Sequence, residues 1–398
     1  MNILQLSRTS MYPPQNGAEV RLWKTAEKLA SLGDLWVGAP PPADRPDADV
    51  EWIELTSPLF RFGPLWNELW TGLFLLGTDH PLRRPLADAV VDAVDAHDVS
   101  FDVVVCEFPQ VADAARRLAA AHDAALLVNK HNAEHTIVDG FLDERGVPDS
   151  VRRRIVDNFR AFEASTIERA DVTVFQSAED RARFDSPSEA TYVIPNGCDL
   201  QWIRDGGDPE SAARECGVPR DEWTCVFLGS YDYAPNRTAA TVISESIAPA
   251  LPDVNFLLVG RNPPSVGADN VYAPGYVEDL PGALGLADVA LCPLRSGSGT
   301  KLKMLDYFAA ELPVVSTPVG VQGLAVEDGE DVLVRDDAEG FVTGIERLRS
   351  SPRLRCRLER AGRRVAADHS WETLLAEYDA VFETLREDGV AATPPRRP

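Results

Sequence analysis

A loop rich in glycine and serine, followed at once by two lysines, is the part of this sequence best suited to bind an anion. The loop spans residues 295–300, and Lys301 and Lys303 follow it at the predicted start of a helix. Small residues at a helix start leave backbone N–H groups open to a ligand, and the helix dipole adds positive potential, which suits a diphosphate. Lysines are unfavourable beside that positive end, yet two of the chain's five lysines stand there. The pattern predicts a polyphosphate site, and the alternative is a surface helix start with two solvated lysines.

Polar residues also follow two buried strands in the first half of the chain. The segment 131–135 comes after the predicted strand 125–128, and Glu107 comes directly after the strand 103–106. The carboxyl ends of parallel strands are where α/β sheets place ligand groups, and an imidazole can carry a proton near neutral pH. His131 and Glu107 are therefore candidate site residues, and the alternative is a polar loop whose side chains satisfy one another. A metal site is not predicted, because the two histidines of this segment lack a third ligand at a suitable spacing.

Apolar strands alternate with helical segments along the whole chain, which is typical of parallel sheets with crossover helices. Buried strands are predicted at 3–6, 35–37, 103–106, 125–128, 172–175 and 192–194, and then at 225–228, 256–259, 289–291 and 314–316. Helices are predicted at 20–32, 150–170, 238–251, 301–310 and 371–385. The segment 196–219 is rich in Gly, Asp and Pro and has no apolar period, so the boundary between two α/β halves is placed there.

The composition is strongly acidic and excludes several classes of partner. Asp and Glu number 63 against 39 Lys and Arg, for a formal net charge of −24. Such a surface repels nucleic acids and anionic lipid headgroups, so no nucleic-acid partner is expected. High acidity with almost no lysine is also typical of adaptation to a salty cytoplasm, where salt screens the self-repulsion. The six cysteines are scattered singly, which indicates neither a zinc site nor a disulfide framework.

The start of the chain and its apolar runs predict where the protein resides. Residues 2–6 already form a strand pattern, so no signal peptide is expected, and no apolar run reaches the roughly 18 residues of a membrane span. We therefore expect a soluble, cytoplasmic protein, at most peripheral to the membrane. The aromatic segment 66–76 has two interpretations: a surface facing a membrane or a lipid-linked substrate, or a helix packed in the first half. The second is favoured, because no basic face accompanies the aromatic residues.

Several motifs together resemble one enzyme family. The sequence Val193-Ile194-Pro195-Asn196-Gly197-Cys198-Asp199 matches a junction motif of the retaining glycosyltransferases of family 4, also called glycosyl transferases group 1. The loop and helix at 293–317 resemble that family's signature, and further likeness covers nearly the whole chain. It includes Pro13 to Arg21, Leu228-Gly229-Ser230 through Tyr233-Ala234-Pro235-Asn236, and Gly275-Tyr276-Val277. The resemblance implies the GT-B fold, with two facing Rossmann-like, doubly wound domains and the active site in the inter-domain cleft.

The resemblance also implies domain bounds and site residues. An acceptor-binding domain spans 1–200 and is joined by a C-terminal helix at about 371–387, a donor-binding domain spans 215–370, and the tail 388–398 is expected to be disordered. The candidate catalytic residues are His131 and Glu107, from their place after buried strands, and Lys301. Implied donor-binding residues are Gly17, Ser230, Asn236, Arg237, Tyr276, Val277, Ser298, Gly299, Thr300, Lys301, Lys303 and Asp306. Implied acceptor-binding residues are Asn132 and Glu134.

The sequence departs from the family pattern at four places. Ser298 and Asp306 stand where the family usually has two glutamates, and Ser230 stands where it usually has an arginine. Glu107 stands where the family often has a histidine. A branch of the family with a "YxPN" motif also lacks the first glutamate. The Asp306 carboxylate can still accept from a ribose hydroxyl, and Arg237, Lys301 and Lys303 are left to carry more of the phosphate charge.

The implied activity is retaining transfer of a sugar from a nucleotide-diphosphate sugar to a glycan, lipid-linked or small-molecule acceptor. No cofactor or catalytic metal is expected, since lysines and a helix start would stabilise the leaving diphosphate. Two alternatives remain open: a catalytically weak homologue that acts as a partner subunit, and a GT-B sugar-nucleotide epimerase. The sequence does not fix the oligomeric state.

Overall fold

The computed structural model describes residues 1–14, 16–44, 50–57, 69–185, 190–265, 267–297 and 300–387. The chain divides into two compact units. Unit 1 comprises Met1–Pro195 with Leu375–Pro398, and unit 2 comprises Asn196–Leu374. The predicted tail 388–398 lies outside the described residues.

Unit 1 is built on a seven-stranded parallel sheet in the order β3-β2-β1-β4-β5-β6-β7. Its strands are β1 (Asn2–Leu6), β2 (Asp34–Ala39), β3 (Val50–Glu54), β4 (Val103–Cys106), β5 (Ala125–Lys130), β6 (Val172–Phe175) and β7 (Ala190–Val193). The central strand β1 pairs with β2 on one side and with β4 on the other, so that Ile3 lies between Leu35 and Val103. The strand order reverses direction between β1 and β4, which is the point where doubly wound sheets bind ligands.

Helices cover the sheet of unit 1. They are Gly17–Leu32, Arg83–Asp95, Ala112–His122, Glu134–Glu144, Asp149–Ile167, Ala178–Arg181 and Glu377–Glu387, with 3-10 turns at Leu73–Leu76 and Pro109–Val111. The first helix begins after Asn16, whose side chain accepts from the N–H groups of Ala18 and Glu19 at 3.1 Å each, as an N-cap residue does.

The described part of the segment 66–76 packs into unit 1. Trp70 and Phe74 are buried, and their rings lie 5.6 Å and 4.8 Å from that of Phe159. Leu69 and Leu76 on the same segment are exposed. The aromatic side chains of this part therefore belong to the core.

Unit 2 carries a six-stranded parallel sheet in the order β10-β9-β8-β11-β12-β13. Its strands are β8 (Thr224–Leu228), β9 (Asn255–Val259), β10 (Val271–Gly275), β11 (Val289–Cys292), β12 (Val314–Ser316) and β13 (Leu333–Val334). Its α-helices are Leu200–Arg204, Pro209–Cys216, Ala234–Val242, Leu280–Leu284, Leu302–Ala309, Ala338–Ser350 and Pro352–Asp368, and Trp371–Leu375 follows at its end. A π-helical turn, Ile243–Ile247, and a 3-10 turn, Ala248–Ala250, follow the third of these. The reversal of strand order lies between β8 and β11.

Three strands that the sequence did not predict are all edge strands: β3 in unit 1, and β10 and β13 in unit 2. The apolar signal of an edge strand is weak because one side of it faces solvent. In β3 only Ile53 is buried, and β13 has only two residues.

Several predicted helix bounds were wrong in detail. The helix expected from 238 begins at Ala234, since Pro235 occupies its first turn, where its fixed φ is suited to a helix. The helix expected from 301 begins at Leu302, and Lys301 is its extended N-cap residue with φ −85° and ψ 106°. The single helix expected at 371–385 is two helices, Trp371–Leu375 and Glu377–Glu387.

Candidate functional site

A buried carboxylate at the end of β4 organises the candidate site of unit 1. Glu107 Oε1 accepts from Gln5 Nε2 at 2.7 Å and from Asn129 Nδ2 at 3.0 Å, while Oε2 lies 2.9 Å from His131 Nε2. Glu107 is only 1% exposed. Both of its oxygens are thus engaged by residues of β1 and β5 and by the loop after β5, so Glu107 fixes their side chains.

The imidazole of His131 is held from three directions. Its Nδ1 lies 2.9 Å from Gln176 Nε2, just after β6, and its ring stacks on Phe108 with centroids 4.8 Å apart and planes 17° apart. A Gln amide N–H donating to Nδ1 leaves the Nε2–H to donate to Glu107. The ring orientation is therefore fixed by Glu107, Gln176 and Phe108 together.

Charged groups surround Glu107 and His131 at the same edge of the unit 1 sheet. Arg8, which follows β1, lies over the Phe108 ring at 5.0 Å. Burial raises the pKa of Glu134, while the positive charges of Lys130 and Arg8 lower it. Asn132 lies beside them and is half-buried. The structure thus gathers Glu107, His131, Asn132 and Glu134, all predicted from the sequence, at one edge of the unit 1 sheet.

A second buried carboxylate clamps the loop that carries His131. Glu163 Oε1 accepts from the backbone N–H of Glu134 at 3.0 Å and from Lys130 Nζ. Its Oε2 accepts from the backbone N–H of His135 at 3.0 Å and lies 2.7 Å from His135 Nδ1. Lys130 ends β5 and Glu134 begins the next helix, so Glu163 holds both ends of the loop.

The last helix of the chain joins the same polar network. Tyr378 Oη donates to Asn129 Oδ1 at 2.9 Å, and Asn129 in turn contacts Glu107. Arg21 is buried and donates to the backbone oxygens of Ile194 at 2.7 Å and Pro195 at 2.8 Å, where unit 1 ends. The polar network of this site thus extends to the helix Glu377–Glu387. Arg21 holds the backbone at Ile194 and Pro195, where the first segment of unit 1 ends.

In unit 2, a lysine is held by an amide oxygen rather than by a carboxylate. Lys303 Nζ donates to Asn236 Oδ1 at 2.7 Å and lies 4.2 Å from the Phe227 ring centroid. Asn236 Nδ2 donates to the backbone oxygen of Ser230 at 2.8 Å. Removal from water lowers the pKa of Lys303 to about 8, and the charge of Lys301 also acts to lower it. Burial likewise lowers the pKa of Lys301, so two cations share a poorly solvated place at a helix start.

Asp306 lies one helical turn after Lys303 and is influenced by the charge of Asp199. Burial raises the pKa of Asp306 to about 7, and the charge of Asp199 raises it as well, while Lys303 lowers it. Asp199 caps the helix Leu200–Arg204 by accepting from the N–H of Trp202 at 3.1 Å. The last residue of the junction motif and the predicted ribose ligand Asp306 therefore belong to one site in unit 2.

The glycine-rich loop approaches its neighbours closely. Gly297 has φ +125°, and a Cβ there would lie 3.4 Å from Tyr233 Oη and 3.6 Å from Lys301 Cε. Thr300 Oγ1 lies 3.4 Å from the Gly323 backbone oxygen. The predicted donor-binding residues Ser298 and Gly299 lie outside the described residues.

The exposure or contacts of four other predicted donor-binding residues are as follows. Arg237 is exposed and its Nη1 donates to the backbone oxygens of Tyr231 and Asp232 at 2.8 and 2.6 Å. Tyr276 is 59% exposed just after β10, and Val277 is buried. Gly17 is the first residue of the first helix, in unit 1. Their role in binding a donor stays a prediction.

Across the described residues, no three His, Cys, Asp or Glu side chains are grouped as they would be around a metal ion. None of the helices described there combines the length and apolar character needed to cross a bilayer.

Comparison with known proteins shows which enzymes the chain is similar to. Residues 222–351 match the family model of the glycosyl transferases group 1. The phosphatidyl-myo-inositol mannosyltransferase of Mycobacterium tuberculosis is 26% identical over 266 residues, which is 57% of this chain and 68% of that protein. The chain is a glycosyltransferase, and its residues 222–351 match the group 1 family.

Solved structures agree on the fold of this glycosyltransferase. Sucrose-phosphate synthase from Thermosynechococcus elongatus has a TM-score of 0.74 at 19% identity, covering 98% of this chain and 100% of that one. Anabaena HepE in complex with UDP has a TM-score of 0.66 at 15% identity, covering 96% and 100%. The predicted GT-B fold is confirmed, and the predicted family resemblance is confirmed for residues 222–351. The mannosyltransferase relative does not favour a partner subunit or an epimerase.

Residues that were not predicted from the sequence supply most of the side-chain contacts described above for the candidate site of unit 1. They are Gln5, Arg8, Asn129, Lys130, Glu163, Gln176 and Tyr378. Gln5 carried a usable signal, because it interrupts an otherwise apolar buried strand. Glu163 carried none, since it is one of many charges on the helix Asp149–Ile167.

Proposed function

We propose that this enzyme transfers a sugar from a nucleotide-diphosphate sugar with retention of anomeric configuration and without a catalytic metal. One observation carries the proposal. Lys303 and Lys301 are adjacent, half-buried cations at a helix start, and the pKa of each is lowered. Concentrated positive charge of this kind is disfavoured in the empty protein, and a bound diphosphate would neutralise it.

The donor site lies in unit 2. Anabaena HepE, a structural neighbour, was solved in complex with UDP and with UDP-glucose. In the proposed site, Lys301, Lys303 and the start of the helix Leu302–Ala309 bind the diphosphate. Asp306 accepts from a ribose hydroxyl, and Tyr276 and Val277 border the base. Asn236 orients Lys303 through its amide oxygen and thus acts as a positioning residue.

The chemical step is breakage of the bond between the sugar's anomeric carbon and the diphosphate oxygen. Negative charge develops on the departing diphosphate as the sugar gains oxocarbenium character, and the two lysines stabilise that charge. The acceptor hydroxyl adds to the anomeric carbon on the same face, and its proton passes to a departing phosphate oxygen. The lysines and the helix start take the role that a divalent cation has in other transferases.

Unit 1 supplies the acceptor side. His131 is the proposed group that contacts the reacting sugar or acceptor, with Asn132 and Glu134 as acceptor ligands. Glu107 and Gln176 act through His131, because they contact its two ring nitrogens, so both are positioning residues. The acceptor is a glycan, a lipid-linked glycan or a small polar molecule. The mannosyltransferase relative is named for a phosphatidyl-inositol lipid.

Incubation with a panel of nucleotide sugars in EDTA, with and without candidate acceptors, tests this proposal. We expect release of nucleoside diphosphate that depends on the acceptor and persists in EDTA, and an NMR spectrum of the product showing the donor's anomeric configuration. Turnover abolished by EDTA and restored by manganese would contradict the metal-free mechanism. Isomerised donor without transfer would indicate an epimerase, and neither reaction with any pair would indicate a non-catalytic partner subunit.

A further inference from the structure

A second cavity in unit 1 has no role in the proposed transfer. Its volume is about 440 Å³, and it lies among the helices Arg83–Asp95, Ala112–His122 and Asp149–Ile167. Its lining includes Arg83, Asp113, Arg116, Leu126, Phe162 and Arg169. We call it the arginine pocket. Thr166 is the one residue that it shares with the small cavity beside Glu107 and His131.

One wall of the arginine pocket is rigid. Arg83 Nε and Nη2 donate to the two carboxylate oxygens of Asp113 at 2.7 and 2.6 Å, and Nη1 donates to the backbone oxygen of Thr78. The guanidinium carbon lies 4.3 Å from the centroid of the Phe162 ring. A guanidinium held on three sides loses little side-chain entropy when a ligand arrives.

The other two guanidinium groups leave the pocket positive. Arg116 and Arg169 are exposed at its rim, and Arg169 Nη1 donates to the backbone oxygen of Ser165 at 2.7 Å. The lining thus contains three arginines and a single carboxylate, that of Asp113. The chain as a whole has a formal charge of −24. A cavity of net positive charge on such a protein marks a place where an anion is attracted locally and repelled elsewhere.

We propose that the arginine pocket binds a phosphate group carried by a small molecule or by a lipid headgroup. Guanidinium forks match the geometry of phosphate oxygens and bind them through charge-assisted hydrogen bonds. The cavity is larger than an inorganic ion needs and falls within the roughly 300–1,000 Å³ of small-molecule sites. The apolar side chains of Phe162 and Leu126 line the remaining wall, so the ligand carries an organic part beside its phosphate. This inference is independent of the donor chemistry in unit 2.

The test measures binding of inorganic phosphate and of glycerol 3-phosphate by calorimetry, with no nucleotide present. It also measures co-sedimentation with two kinds of vesicle, one of phosphatidylcholine alone and one with about one phosphatidylglycerol in three lipids. The anionic lipid gives the second vesicle a negative surface potential. The variant is Arg116→Gln/Arg169→Gln. Both arginine side chains are exposed, so we expect the variant to fold like the wild type. The matched control is Arg117→Gln, on the same helix but paired with Asp88 at 2.5 Å and outside the pocket lining.

We expect the wild type to bind glycerol 3-phosphate or the anionic vesicles, and the double variant to bind at least about tenfold more weakly, as for the loss of a charge-assisted hydrogen bond. The control variant should bind like the wild type. Binding of glycerol 3-phosphate alone would identify a soluble ligand, and binding of anionic vesicles alone a lipid headgroup. The proposal is overturned if the wild type binds none of the probes, or if the double variant binds as tightly as the wild type.

Discussion

The two candidate sites differ in what satisfies their charged groups. In unit 1, protein atoms engage both oxygens of Glu107 and of Glu163 and both ring nitrogens of His131. In unit 2, Lys303 is held by an amide oxygen and an aromatic ring, and the pKa values of Lys303 and Asp306 are both moved toward neutrality. The first site is preorganised by its own hydrogen bonds, whereas the second is electrostatically incomplete without a ligand. The difference fits a unit that orients reacting groups and a unit that binds a charged donor.

The largest effect on stability should come from removing a carboxylate of the hydrogen-bonded network in unit 1. Glu163→Ala leaves Lys130 buried without its carboxylate and removes the acceptor for two backbone N–H groups, so we expect a loss of about 3–5 kcal/mol in the free energy of unfolding. Urea denaturation measures this free energy of unfolding. Glu168→Ala, an exposed position just after the same helix, is the matched control and should change stability little. Equal stability of the Glu163 variant and the wild type would show that unit 1 is not held by this network.

The corresponding change in unit 2 should affect binding rather than stability. Lys303→Met removes a cation that a diphosphate would contact, so donor affinity should fall by about 1.5–3 kcal/mol, the range for a hydrogen bond to a charged group. Lys301→Ala should act in the same direction. Calorimetry with the preferred donor measures both. Lys24→Met, which removes a lysine paired with Glu27 in unit 1, is the control, and an affinity loss as large in that variant would remove the lysine pair from the site.

Removing the imidazole in unit 1 should slow transfer. We expect His131→Ala to lower turnover by at least about tenfold, or roughly 1.4 kcal/mol in the barrier, and Glu107→Gln to act in the same direction through its contact with His131. Steady-state rates and the melting temperature are measured on the same preparations. A lowered melting temperature with unchanged turnover would mean that the His131 loop is structural only.

The smallest effect tests the raised pKa of Asp306. A carboxyl group whose folded pKa is raised to about 7 opposes folding once the unfolded chain ionises, so stability is lost as the pH rises from about 4 towards 7. Asp306→Asn should therefore be more stable than the wild type at pH 8, by about 1 kcal/mol after allowance for solvent screening, with the difference vanishing near pH 4. Asp221→Asn, exposed in the same unit, is the control. A less stable Asp306 variant at pH 8 would mean that unit 2 satisfies this carboxylate after all.

The contrast between the sites also explains what could be predicted from the sequence. The lysine pair was visible because its residue types conflict with a helix start, and interior strands such as β4 and β11 were visible because they are apolar throughout. The edge strand β3 lacked that signal. The partners of Gln5 and Glu163 could not be assigned, because they lie 102 and 28 to 33 positions away along the chain. A network formed by distant residues leaves no local pattern, whereas a charge that awaits a ligand does.

The most direct test of this division of labour is a side-by-side measurement of donor dissociation constants for wild type, His131→Ala and Lys303→Met. An interaction made mainly in the transition state does not appear in ground-state binding. We therefore predict that His131→Ala binds the donor within a factor of about two of wild type, while Lys303→Met binds it at least about tenfold more weakly. The opposite pattern, with donor affinity lost in the His131 variant and kept in the Lys303 variant, would contradict the assignment of the donor to unit 2.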